Sequence, residues 1–127
     1  MNIRNKGKAG ESEFINRYGP FFPNPIKRNL LQTREGGADI SGCEPFQIEI
    51  KRCERVEKNK WWAQVKAACK PDEIPVVAYR QNRGQWKFLL PVNLCNIDSE
   101  DYMEIAEGPW LKFVMEMFSR KADSQRL

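Results

Sequence analysis

The chain has 127 residues, 41% hydrophobic and 30% charged, enough for one domain with a core and a wet surface. It has no histidine, which excludes a Ser-His-Asp triad, a Cys-His pair, a His-ligated zinc and an imidazole general base. Lys and Arg total 21 against 17 Asp and Glu, a net of +4. That charge is uneven: residues 1–90 hold 17 Lys/Arg against 10 Asp/Glu, a net of +7, and residues 91–127 hold 4 against 7, a net of −3. A basic face suits a polyanion such as nucleic acid, but an ordinary solvated surface carries the same asymmetry.

No run approaches the ~18 apolar residues of a membrane span. The basic start, Met1 to Lys8, is followed by no apolar stretch and so does not read as a signal peptide. The cysteines, at 43, 53, 69 and 95, lack close zinc spacing. They read as reduced thiols of a cytoplasmic protein, some of them buried.

In chain order, residues 1–8 read as a flexible basic arm. Ala9 to Tyr18 fits a helix, with Ala9, Phe14, Ile15 and Tyr18 on one face and Gly19-Pro20 ending it. Ile26 to Thr33 fits a first strand, Glu35-Gly36-Gly37 a turn, Ala38 to Ser41 a second strand, and Gly42 to Pro45 a hairpin turn. Phe46 to Lys51 alternates strictly. As a strand it points Phe46, Ile48 and Ile50 to one face and Gln47, Glu49 and Lys51 to the other. Lys60 to Lys70 predicts a helix with Trp61, Trp62, Val65, Ala68 and Cys69 on its stripe. At most one of the two adjacent tryptophans is expected in the core; the other is open to base stacking. Ile74 to Arg80 is a buried strand, Gln81 to Gly84 a turn, and Gln85 to Val92 the pairing strand. A short helix is expected near Ser99 and a stronger one from Pro109, with Trp110, Phe113, Val114, Met117 and Phe118 as its stripe. That stripe serves either packing on the sheet or a subunit interface. The order predicts an α/β protein with one central sheet.

The chemistry-bearing residues are few. Glu11 or Glu13 lies on the first helix, Asp39 follows a Gly-Gly turn, and Glu49 and Lys51 share a strand face. If strands 38–41 and 46–52 form a hairpin, Asp39 and Glu49 are cross-strand neighbours. Two such carboxylates repel unless a cation sits between them, and oxygen ligands favour Mg²⁺ or Mn²⁺. A metal-bound water is then the nucleophile, with Lys51 to hold it or help deprotonate it. Singly, each residue is more often structural: a turn Asp, a helix-start Glu, a cross-strand ion pair.

Taken together, Glu11…Gly37-Ala38-Asp39-Ile40…Ile48-Glu49-Ile50-Lys51 resembles the PD-(D/E)XK nuclease superfamily. Lys6-Gly7-x-x-x-Glu11 and Pro75 to Arg80 with Trp86-Lys87-Phe88 resemble archaeal-type Holliday-junction resolvases, and Trp61-Trp62-Ala63-Gln64 resembles short phage-encoded relatives. The resemblance covers about residues 4–92, and Ser12 departs from the Arg usual after the helix Glu. It implies a restriction-endonuclease-like core, with a mixed central β-sheet flanked by helices, over 9–92, and leaves 93–127 as a helical extension. It implies a Mg²⁺- or Mn²⁺-dependent endonuclease acting on four-way junctions or other branched DNA as a homodimer. The implied metal-binding set is Glu11, Asp39, Glu49 and Ile50, with Lys51 and Gln64 completing the catalytic set. The implied DNA contacts are Arg4, Lys6, Lys8, Arg28, Arg34 and Arg52. Alternatives are a nuclease of the same fold acting on duplex or flaps, and an inactive DNA-binding module.

Overall fold

The computed structural model describes residues 3–28, 40–93 and 101–125, with side chains over 8–28, 40–93 and 101–119. The fold is α/β: a mixed four-stranded sheet with helices on both faces. The strands that precede it are β1 (Lys27–Arg28) and β2 (Ile40–Ser41), which pair with each other antiparallel as a separate ribbon. The main sheet runs β3 (Phe46–Cys53), β4 (Ile74–Gln81), β5 (Lys87–Pro91), β6 (Tyr102–Ala106). β3 and β4 are parallel, and the other two pairings are antiparallel. A parallel pair needs a crossover, and α2 (Lys58–Ala68) supplies it. The remaining helices are α1 (Ile3–Tyr18), continued by a 3₁₀ turn (Gly19–Phe21), and α3 (Glu107–Gln125).

Strand alternation sorts the core into two halves. Phe46, Ile48 and Ile50 of β3, Val76 and Ala78 of β4, and Phe88 and Leu90 of β5 pack with Phe14 and Tyr18 of α1 and Trp110 and Val114 of α3. On the opposite face, Val77, Tyr79 and Leu89 pack with Trp61, Trp62 and Val65 of α2. Two glycines permit close approaches. A Cβ on Gly10 would sit 2.9 Å from Arg52 Cβ, so the bare Cα lets α1 lie against β3. Gly42 has φ +97°, and a Cβ there would meet the Pro25 carbonyl oxygen at 2.3 Å.

Several expectations change. Residues 3–8 are helical rather than an arm, because Arg and Lys are good helix formers and nothing before Gly19-Pro20 stops the helix. The segment after Ser99 is strand β6, not a helix: Tyr102 and Glu104 point to the α2 face, Met103 and Ile105 to the other. α3 begins at Glu107, with Pro109 still inside the first turn, where its missing N–H costs nothing. Its stripe packs on the sheet, Trp110 and Val114 being fully buried. Both tryptophans of α2 are buried, because the helix lies across the sheet. Trp61 packs on Tyr79 of β4 at 5.5 Å and Trp62 on Tyr102 of β6 at 5.4 Å, so neither ring is free to stack on a base. The turn 35–37 lies outside the described residues. Among the described residues no helix is long and apolar enough to cross a membrane.

Candidate functional site

β3 is the strand that brings chemistry into the sheet. Its α1-facing positions Phe46, Ile48 and Ile50 are apolar and buried, with Arg52 turned to α1 at the strand's end, whereas the other side carries Gln47, Glu49 and Lys51 in sequence. Glu49 and Lys51 therefore rise from one face, two residues apart, and Lys51 Nζ lies 3.2 Å from Glu49 Oε1. Both are largely sheltered, their side chains 15% and 28% exposed for Glu49 and Lys51. Their register partners on β4 are Val77 and Tyr79. Ile50, between them, buries its side chain in the opposite core, so that side chain offers no ligand and only its backbone faces the expected metal role. Gln64 is exposed on α2, the helix that covers the Glu49–Lys51 face.

The first-helix acids go elsewhere. Glu11 accepts a charge-assisted hydrogen bond from Arg28 Nε of β1 at 2.5 Å. Glu13 takes Arg80 Nη1 at 2.9 Å and lies 3.5 Å from Arg52 Nε. Arg28 and Arg52, two of the three expected phosphate contacts that are described with their side chains, are thus tied to α1 carboxylates. Lys8 is exposed on α1. Arg4 and Lys6 lie on the α1 backbone with side chains outside the described residues, and Asp39 and Arg34 lie outside them altogether. The hairpin that would set Asp39 beside Glu49 is not what the described residues form: Ile40 and Ser41 pair with Arg28 and Lys27.

The donors present fit a hard cation in kind, being carboxylates and a backbone carbonyl. Among the described residues no group of three acidic, His or Cys side chains converges to hold one, and the third acid of the expected set, Asp39, is not among them.

The sequence reading missed a second polar cluster on the same face. Tyr79, level with Lys51, donates its hydroxyl to Glu104 Oε1 of β6 at 2.5 Å, and Lys58 Nζ of α2 reaches the same oxygen at 2.9 Å. Burial pushes the Tyr79 phenol up, and its bond to Glu104 adds to this. Burial also opposes ionisation of Glu104, but the bonds from Lys58 and Tyr79 outweigh it and hold the carboxyl below its ordinary value. The only prior sign was the polar Glu104 in a short alternating run. Among the described residues Cys43, Cys53 and Cys69 form no disulfide, and burial pushes Cys43 up to about 12 and Cys69 to about 11.

No protein-family model, curated protein or solved structure matches the chain.

Proposed function

We propose that this protein is a divalent-metal-dependent DNA endonuclease acting on four-way or otherwise branched junctions, on a restriction-endonuclease-like core. The observation that carries the reading is the Glu49–Lys51 pair on one sheltered face of β3, 3.2 Å apart, in a chain with no histidine. A carboxylate beside an ammonium is a minimal set for hydrolysing a phosphodiester without imidazole: Glu49 holds a cation, and Lys51 orients a water or meets charge on the phosphate. Asp39 supplies the second acid. When bound, Mg²⁺ or Mn²⁺ acidifies that water and neutralises the phosphate. The order of helix, three strands, crossover helix and parallel strand supports the same reading. A homodimer suits the substrate, since two-fold symmetry offers two sites to two opposed strands.

The test is incubation of a labelled four-way junction and a matched duplex with Mg²⁺. The junction should be cut, the duplex spared, and chelation should stop the reaction. Lys51→Ala and Asp39→Ala should bind the junction but cut it roughly 10²–10⁴-fold more slowly. Cutting at the wild-type rate by Lys51→Ala would show the site to be wrong. With no histidine, the pH–rate profile should lack an imidazole inflection near pH ~6.5.

One observation favours a second reading, an inactive DNA-binding module: Glu11 and Glu49 are each already matched by a cation, Arg28 and Lys51. Calorimetric titration with Mn²⁺ separates the two. A module without a site gives no heat that Asp39→Asn abolishes.

A further inference from the structure

The turn joining β4 to β5 is braced from several sides. Gly84 N donates to Gln81 O at 2.9 Å, and Arg80 Nε donates to Gly84 O at 2.8 Å. Beyond the end of β3, the Glu54 carbonyl accepts Gln81 Nε2 at 3.1 Å and Glu54 Oε1 accepts Asn82 Nδ2 at 3.3 Å. From within β3, Arg52 Nη1 donates to Asn82 Oδ1 at 2.8 Å. Positions 81, 82 and 84 are fastened, and the residue between them is Arg83.

Arg83 has φ 63°, the left-handed region. A positive φ at the third residue alone is the type II pattern, which favours glycine or asparagine there. An arginine in that conformation costs about 1 kcal/mol or more and persists only where its surroundings dictate the backbone. Here they do. Yet the fold makes no use of the side chain: Arg83 is exposed, and among the described residues it has no hydrogen-bond or ion-pair partner. A fixed, strained backbone thus presents a free guanidinium. Because β3 and β4 are parallel with Lys51 opposite Tyr79, the turn lies at the end of the sheet toward which Lys51 sits, about 10 Å further along.

We infer that Arg83 is a phosphate contact for the DNA backbone that runs past Lys51 over the C-terminal ends of β3 and β4. The inference rests on the proposed nuclease reading and adds to it a direction for the bound strand. A guanidinium fork matches phosphate oxygens in a way an ammonium does not.

The experiment is fluorescence anisotropy of the full chain on a labelled junction with EDTA present, so that no cleavage intervenes, across a salt series. Arg83→Gly removes the charge and suits the left-handed position, so the fold should be kept or stabilised. It should weaken binding about three- to tenfold and lower the salt slope by about one. Arg83→Lys should keep the slope. Lys70→Ala, which removes one charge at the opposite end of β4, should change neither. Wild-type affinity and slope in Arg83→Gly overturn the inference alone, as does an equal loss in Lys70→Ala. No binding by the wild type overturns the nuclease reading with it.

Discussion

The two faces of the sheet are built on different terms. Toward α1 and α3 Phe46, Ile48 and Ile50 of β3 are apolar, with only Arg52 at the strand's end turned to Glu13 of α1, and the rings form a continuous aromatic array: Phe14 against Tyr18, Tyr18 against Phe88, Phe88 stacked on Trp110 at 4.6 Å, Trp110 against Phe46. Toward α2 the fully buried apolar patch is drawn from β4, β5 and α2, with Cys53 of β3 and Tyr102 of β6 partly buried at its edge, while β3 also contributes Gln47, Glu49 and Lys51, and β6 Glu104. One face is sealed; the other is half core, half polar. Hydrophobic burial is the main stabilising term, so the sealed face sets stability and leaves the other face free to hold charge.

Removing one tryptophan from each face should give the largest difference between them. Trp110→Ala should cost about 3–5 kcal/mol, the range for deleting a fully buried large aromatic. Trp61→Ala, on the thinner face, should cost at least ~1 kcal/mol less, because fewer apolar neighbours surround the space it leaves. Urea unfolding of both variants decides it, and equal losses would mean that the faces are equivalent. Trp110→Phe should be mild by comparison, since the buried indole Nε1 has no hydrogen-bond partner among the described residues and no polar contact is lost with it.

The sealed face was the legible one. A period of two in Phe46 to Lys51 and helical spacing in Trp110 to Phe118 are local signals, and both reappear as inward-facing residues. The same period put Glu49 and Lys51 on one face. What escaped was set by non-local contacts. β6 is a strand only because it has β5 to pair with, and the five residues of Tyr102–Ala106 are too few for periodicity to decide between strand and helix. Both tryptophans of α2 are buried because two strands, β4 and β6, lie beneath them. The pairing of β2 with β1 rather than β3 was hidden by the turn at Gly42 to Pro45, which sequence alone reads as a hairpin. Arg83 sits in a turn the sequence does mark, but its φ is fixed by Arg52 of β3 and by Glu54 just beyond that strand's end.

A smaller effect tests the polar half. Because Glu104 is held below its ordinary value in the folded chain, the unfolded chain binds its proton more readily. Its stabilisation is therefore fully present above the ordinary carboxylate value near ~4.3 and is lost as pH falls through the lowered folded value. Glu104→Gln should be less stable than wild type at neutral pH by about 1–2 kcal/mol, the worth of hydrogen bonds to a charged group. The gap should close in acid. A gap that stays constant from pH ~7 to ~3 would mean the carboxylate's charge contributes nothing, and that the Tyr79 and Lys58 contacts are steric.

The smallest expected effect lies where the sealed face meets solvent. Arg17, in the last turn of α1, donates to both oxygens of Glu107, Nε to Oε1 at 2.6 Å and Nη2 to Oε2 at 2.8 Å. The bond to Arg17 is the main reason the Glu107 carboxyl is held below its ordinary value. The geometry is as good as an ion pair allows, and Glu107 also favours the first turn of α3 through the helix dipole. Arg17 is nevertheless 56% exposed and Glu107 31%, so water competes for both and salt screens what remains. A double-mutant cycle on Arg17→Ala and Glu107→Ala should give a coupling of about 0.2–1 kcal/mol that shrinks at high salt. A coupling above ~2 kcal/mol would contradict the division drawn between the faces. It would mean that an exposed charge pair, rather than the aromatic array beneath it, fastens α3 to α1.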